Sequence, residues 1–442
     1  MTKLLFVEIN EVNFDDMRAY GVQGYLPELM GLMDRHGVAK TTSEQDYEEL
    51  EPWIQWVTAH TGLALAEHNV FRLGDIVKHD IPQIWEHLEE QGLKVGAISP
   101  MNAKNRTGNA AFFVPDPWTP TSLTASPLLE NLYFAVAQAV NDNAQDRLAL
   151  RSKFALLAGA GTYARAVNYG QYLALARGAK KGPWSKAMFL DLLLSDILIK
   201  ETRRTAPDFA SLFLNAGAHI QHHYMFNSAV YKGEQTNPEW VIGPHQDPML
   251  DVYRLYDRIV GQIRQAFPKT RLMLATGLHQ DPHPETTFYW RLKDHAAYLT
   301  KIGVPFACAK PRMSRDFFIE CISEEQAAEA ERILSSVKAS DGTKLFDVDN
   351  RGRDLFVMLV WSHDIEADFS YTVGKRAFIG LRDDVAFVAI KNGQHNGIGY
   401  FLDTGLSADA MHGTFPLAEI PVKICDALGV SWRETARSQA IA

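Results

Sequence analysis

Carboxylates, imidazoles and indoles crowd one short stretch of this chain, Glu51-Pro-Trp-Ile-Gln-Trp-Val-Thr-Ala-His-Thr-Gly62. Pro52 suits a first helical turn, and from there Trp53, Trp56 and His60 recur at three- and four-residue spacing on one face. Glu51 stands at the helix mouth, where the positive end of the dipole favours an anion. The residue types fit an acid or base flanked by aromatic rings. They fit equally a capping carboxylate over a tryptophan core.

Four further groups carry ligating or proton-transferring side chains. Glu8, Asn10 and Glu11 close the apolar run from Leu4 to Ile9, and His219, His222 and His223 follow the run Ala210 to Leu214. His279, Asp281 and His283 follow Arg271 to Ala275, and His395 lies in the late loop Lys391-Asn-Gly-Gln-His-Asn-Gly397. Ligands of open α/β sheets bind at the carboxyl ends of strands, so convergence of these groups predicts a catalytic or metal site. Ordinary hydrogen bonding accounts for any one of the histidines but poorly for four at strand ends.

The elements that must position them read as α/β. Short apolar runs beginning at Leu4, Lys94, Ala210, Arg271 and Val385 predict strands of one largely parallel sheet with helices on both faces. Pro27 to His36 and Pro248 to Phe267 are helical in pattern, and Asp80 to Gly92 followed by Lys94 to Ile98 makes a crossover unit. Residues 126–204 are rich in Ala and Leu and predict a helical cap insertion. Residues 311–361 predict a small α+β insertion, which leaves 1–125, 205–310 and 362–442 as the α/β core.

A chain of 442 residues, 46% apolar, can bury a large core. Its 44 basic and 53 acidic residues give a net charge of −9, which speaks against non-specific nucleic-acid binding. Cys308, Cys321 and Cys425 show no metal spacing, so a reducing, cytoplasmic setting is expected. The first apolar run is broken by Glu8, too early for a signal sequence, and no segment has the length of a membrane span.

The order of these pieces resembles the alkaline phosphatase superfamily, in particular its type I phosphodiesterase/nucleotide pyrophosphatase branch. The likeness rests on the first strand with its polar end, a helix closing in Thr61-Gly62, Gln-His-His-Tyr224, the strand Leu272 to Thr276, and Gly393-Gln-His395 with Gly397. The resemblance implies an alkaline-phosphatase-like fold and hydrolysis or transfer of a phosphate or sulfate ester. It also exposes departures. The family's first metal-binding Asp matches Asn10, and its nucleophile falls near Pro52 and Glu51. Its Asp and the His four residues later match Ala218 and His222, or His219 and His223 after a shift of one residue. Its Ser-Asp-His-Gly matches Thr276-Gly-Leu-His279, and its late histidine matches His395.

A two-zinc site is therefore not expected. The resemblance leaves at most one divalent transition metal such as zinc, held by His219 or His222 with His223 and His395 and with Glu8 or Glu11 as an outer partner, or no metal at all. Three functions follow. The first is an ester hydrolase or transferase with an altered or lost two-metal site, in which Glu51, Glu11, His222 and His395 are catalytic. The second is a metal-independent carbohydrate-active enzyme or glycan binder that uses Glu51 and Glu11 as its carboxylate pair. There Trp53 and Trp56 would stack on sugar, with Asn10, Gln55, His60 and His279 completing the substrate-binding set. The third is a non-catalytic member that partners other proteins.

Overall fold

A computed structural model describes residues 1–141, 159, 161–179, 182–312 and 315–432. Its first strand, β1 (Leu4–Ile9), is buried at every position, as a run apolar on both faces must be. Around it gather β2 (Ala39–Thr42), β3 (Val95–Ile98), β4 (Phe112–Val114), β5 (Phe209–Leu214) and β6 (Arg271–Ala275). With Ile398–Asp403 and Thr414–Pro416 they form an eight-stranded sheet. Its order is Thr414–Pro416, β2, Ile398–Asp403, β6, β1, β5, β3, β4. β1 pairs in parallel with β5 and β6, and β3 with β4 and β5, while Ile398–Asp403 runs antiparallel between β2 and β6.

Alternation along β1 splits the core into two layers. Leu5, Val7 and Ile9 pack with Leu192 and Ile199 of the helix Trp184–Thr205 and with Val252 and Ile259 of Pro248–Ala266. Leu4 and Phe6 pack on the opposite side with Trp56 and Ala59 of Pro52–Thr61, Trp85 of Ile84–Glu90 and Ile424 of Ile420–Leu428. The sheet is therefore mostly parallel with helices on both faces, the expected class.

One expected strand belongs elsewhere. The run from Val385 extends to Asn396 and pairs with His279–Leu292 in a two-stranded ribbon. Only Val385, Ala389 and Ile390 of its first six residues are buried, whereas Gly399 to Asp403 are buried throughout. The second pattern satisfies a sheet covered on both faces, and Ile398–Asp403 takes the place beside β6.

The chain divides into two compact units: 1–232, 239–282 and 393–442 form one, and 233–238 with 283–392 the other. The stretch expected as a helical cap contributes the helices Pro127–Asn141, Tyr169–Gly178 and Trp184–Thr205 to the first, and part of it lies outside the described residues. Residues 311–361 fall within the second unit. There an antiparallel four-stranded sheet, ordered Phe346–Asn350, Asp354–Leu359, Asp316–Glu320, Cys308–Pro311, accompanies the helix Glu324–Ser335.

Candidate functional site

Where β1 ends, Asn10 and Glu11 turn the chain away from the sheet. Glu11 adopts a left-handed backbone, φ 59°, a region that costs a non-glycine residue on the order of 1 kcal/mol or more. Its N–H donates to the Thr276 carbonyl at 3.0 Å, and its own carbonyl accepts from Gln221 Nε2 at 2.7 Å and from the Gln280 N–H at 3.2 Å. These bonds tie the turn to the ends of neighbouring elements and over-determine it.

β5 is in register with β1 to its last residue, Ile9 opposite Leu214. The helix that follows, Ala216–Tyr224, therefore starts beside the Glu11 turn. It buries Ala216, Gly217, Ala218, Ile220, Gln221 and Tyr224, and His222 stands half-buried one turn beyond Ala218. His395 arrives from the far end of the sequence near the close of the strand Val385–Asn396.

The three residues converge on one point. His222 Nε2 lies 3.1 Å and His395 Nε2 3.0 Å from the same oxygen, Glu11 Oε2, and the two ring nitrogens are 3.3 Å apart. Among the described residues this is the one group of three or more such side chains whose ligating atoms all lie within 4.8 Å of one another. Burial would raise the Glu11 pKa, but the charges of His395 and His222 and their hydrogen bonds outweigh it and hold the carboxyl well below the usual carboxylate range. Glu51, half-buried ahead of the helix Pro52–Thr61, places Oε2 4.0 Å from His395 Nδ1, on the opposite side of that ring from Glu11.

The other expected site residues form the frame beneath. Trp56 is fully buried and donates its indole N–H to Asn10 Oδ1 at 2.7 Å, so it offers no ring face to a ligand. Gln55 is buried too, with Nε2 on the Glu49 carbonyl. Trp53 is half-buried and donates to the Phe71 carbonyl at 3.1 Å. His60 pairs with Glu8 at 3.1 Å in the apolar layer of Trp56 and Trp85. His279 bonds through Nδ1 to the Ile398 carbonyl at 2.5 Å and through Nε2 to Asp281 Oδ1 at 3.2 Å, and Asn396 donates to the other Asp281 oxygen at 2.7 Å. Stacking or hydroxyl recognition by Trp56, Gln55 and His60 is thus corrected: a helix packed face-down on β1 turns these three into core.

Of the histidines expected in a metal set, His222 and His395 come together over Glu11, and His219 and His223 stand outside that group. His219 is exposed, and the His223 ring packs on it at 4.9 Å. The imidazole that meets His395 is His222, and Glu11 places one oxygen beside both rings. Glu8 points into the sheet layer because residues two apart on a strand share a face, and Glu8 shares its face with Phe6. Three residues that hold the site, Asn215, Gln221 and Gln280, were given no role by the sequence, although Gln221 opens the Gln-His-His-Tyr224 motif. Their signal is polarity at buried positions next to strand ends.

No family profile matches the sequence, and no curated protein matches it. Solved structures are similar along nearly the whole chain. Phosphonoacetate hydrolase from Sinorhizobium meliloti 1021, in complex with phosphonoformate, aligns over 97% of this chain and 95% of its own at 11% identity, TM-score 0.44. Human ectonucleotide pyrophosphatase/phosphodiesterase 5 aligns over 98% and 96% at 12% identity, TM-score 0.45, and the murine protein over 97% and 96% at 10%, TM-score 0.43.

Proposed function

We propose that this chain is a hydrolase or transferase of phosphate or sulfate esters that works with a single divalent transition metal, such as zinc, held by Glu11, His222 and His395. One observation carries the reading: the three donor atoms lie 3.0, 3.1 and 3.3 Å apart. Ligands roughly 2.0–2.1 Å from a tetrahedral zinc ion stand roughly 3.3 Å from one another, so the spacing suits an ion bound by all three. Two imidazoles and a carboxylate are also a donor set that leaves coordination positions open, as a catalytic ion needs.

The chemistry such an ion supplies when bound is Lewis-acid polarisation of a phosphoryl or sulfuryl oxygen. The chain does the rest. Glu11 stays ionised and presents Oε2 to both rings. Glu51 Oε2 lies 4.0 Å from His395 Nδ1, at the edge of the group and outside hydrogen-bond reach of the ring. From the helix mouth the Glu51 carboxylate takes the proton from an attacking hydroxyl or water as its oxygen bonds to phosphorus or sulfur. The ester oxygen leaves with the electron pair of the broken bond and takes up a proton. The buried Trp56 and Asn10 keep the floor of the site dry and fixed.

Elemental analysis of the purified protein, followed by chelation and reconstitution with Zn²⁺, tests this. One ion per chain is expected, with turnover of nitrophenyl phosphate, phosphodiester or sulfate lost on chelation and restored by zinc. Two tightly held ions, or full turnover without metal, would overturn it. The same distances are also hydrogen-bond distances, and the second outcome would favour acid–base catalysis by Glu11, His222, His395 and Glu51 without metal.

A further inference from the structure

Besides the two imidazoles, amide side chains hold both carboxylate oxygens and the carbonyl of Glu11. Gln280 is fully buried, and its Nε2 donates to Glu11 Oε2 at 2.5 Å and to the Ala218 carbonyl at 3.1 Å. Asn10 Nδ2 donates to the other carboxylate oxygen, Oε1, at 3.0 Å and to Asn215 Oδ1 at 2.8 Å, with Asn10 itself fixed by Trp56. Gln221, also fully buried, grips the Glu11 carbonyl, while its Oε1 accepts from the Asn13 N–H at 3.2 Å and the Tyr253 hydroxyl at 2.9 Å. The late histidine loop contributes a glycine to this arrangement. A Cβ on Gly393 would stand 1.9 Å from Gln280 Oε1, so any other residue two places before His395 would push the Gln280 amide away.

We infer that Gln280, with Asn10 and Gln221, is a positioning residue that fixes Glu11 as a one-oxygen ligand. The inference rests on the metal reading above. Asn10 engages Oε1 and so leaves Oε2 alone for the site, while Gln280 approaches Oε2 from the side of Ala218 and sets its direction. Gln221 holds the left-handed backbone that a glutamate would otherwise leave. A carboxylate restrained to one oxygen suits a small, four-coordinate ion and disfavours Ca²⁺, which takes six to eight oxygens and often both from one carboxylate. Gly393 then has a defined purpose: it admits Gln280.

Titration of metal-depleted protein with Co²⁺, read by visible absorption, with Zn²⁺ competition, tests this apart from turnover. Gln280→Met keeps the bulk and removes the donor; it should weaken Co²⁺ and Zn²⁺ binding about 10- to 100-fold, the usual effect of losing an outer partner. Gly393→Ala moves the Gln280 amide without touching a ligand and should weaken binding in the same range. Both act through one contact, so the double variant should bind no more weakly than Gln280→Met alone. Unchanged affinity in Gln280→Met, or losses that add in the double variant, would overturn the inference. Wild-type protein that takes up no Co²⁺ would instead defeat the metal reading on which it rests. Melting of the metal-depleted variants separates a folding defect from a lost ligand geometry, since a positioning role moves affinity while leaving that midpoint within a few degrees of wild type.

Discussion

His222 and His395 meet at their Nε2 atoms, 3.3 Å apart, over a single oxygen of Glu11. Neither ring alone completes a site with that oxygen. His222→Ala and His395→Ala should therefore each abolish stoichiometric metal binding and lower ester turnover at least 100-fold. Zinc at 100 times its dissociation constant should stabilise the wild type by about 3 kcal/mol and neither variant, a difference thermal melting will show.

Glu51 separates catalysis from binding. It is half-buried, and its carboxylate is 4.0 Å from His395 Nδ1, too far for a hydrogen bond. Glu51→Gln should leave metal content and melting close to wild type and lower kcat by roughly 10² to 10⁴, the range of a lost general base. A collapse in thermal stability instead would show that Glu51 serves the helix Pro52–Thr61 and not the reaction.

Beneath the site, Gly277 has φ 73°, and a Cβ added there would stand 3.1–3.2 Å from the Trp56 ring. Gly277→Ala should cost about 1–3 kcal/mol through strain and crowding. Trp56→Phe removes the N–H that Asn10 Oδ1 accepts and leaves a buried acceptor unpaired, a cost of about 1–3 kcal/mol. Both should also weaken metal binding, because Asn10 steadies Glu11. Chemical denaturation and Co²⁺ titration of the same samples measure the two effects.

His68 supplies a pH signature remote from the site. It is buried, accepts the Val70 N–H at Nδ1 (3.0 Å), and lies 3.2 Å from the Thr58 hydroxyl through Nε2. Burial, helped by the charge of His79, lowers its pKa from 6.5 to about 4. The unfolded chain thus binds the proton more readily than the folded one. The stabilisation is complete above pH 6.5 and is lost as pH falls through 4, by up to about 3 kcal/mol. His68→Asn should flatten that part of the stability profile in urea melts at stepped pH.

Much of the frame was legible in the sequence because it obeys local rules. Leu4–Ile9 and Arg271–Ala275 are strands at the expected limits, and Pro52 opens and Gly62 closes the tryptophan helix. The choice among neighbouring ligands was not legible. His222 outranks His219 because of which face of the helix Ala216–Tyr224 is packed down, and that is set by Ala218, Ile220 and Gln221 against partners distant in sequence. Glu11 reaches the site only through a left-handed turn that no local pattern demands. The roles of Gln280 and Gln221 were not legible, because an amide has no characteristic spacing and its value lies in what it touches.

The donors at positions 11, 222 and 395 come from the beginning, the middle and the late part of the chain, and the two histidines alone are 173 positions apart. Closing loops of that length costs entropy that is repaid only once the sheet and the ribbon Val385–Asn396 with His279–Leu292 are both in place. The three atoms are expected to meet only late in folding. During refolding, tight cobalt uptake should lag behind the helical signal and arrive with the last slow phase, so that the ion acts as a reporter of completed assembly.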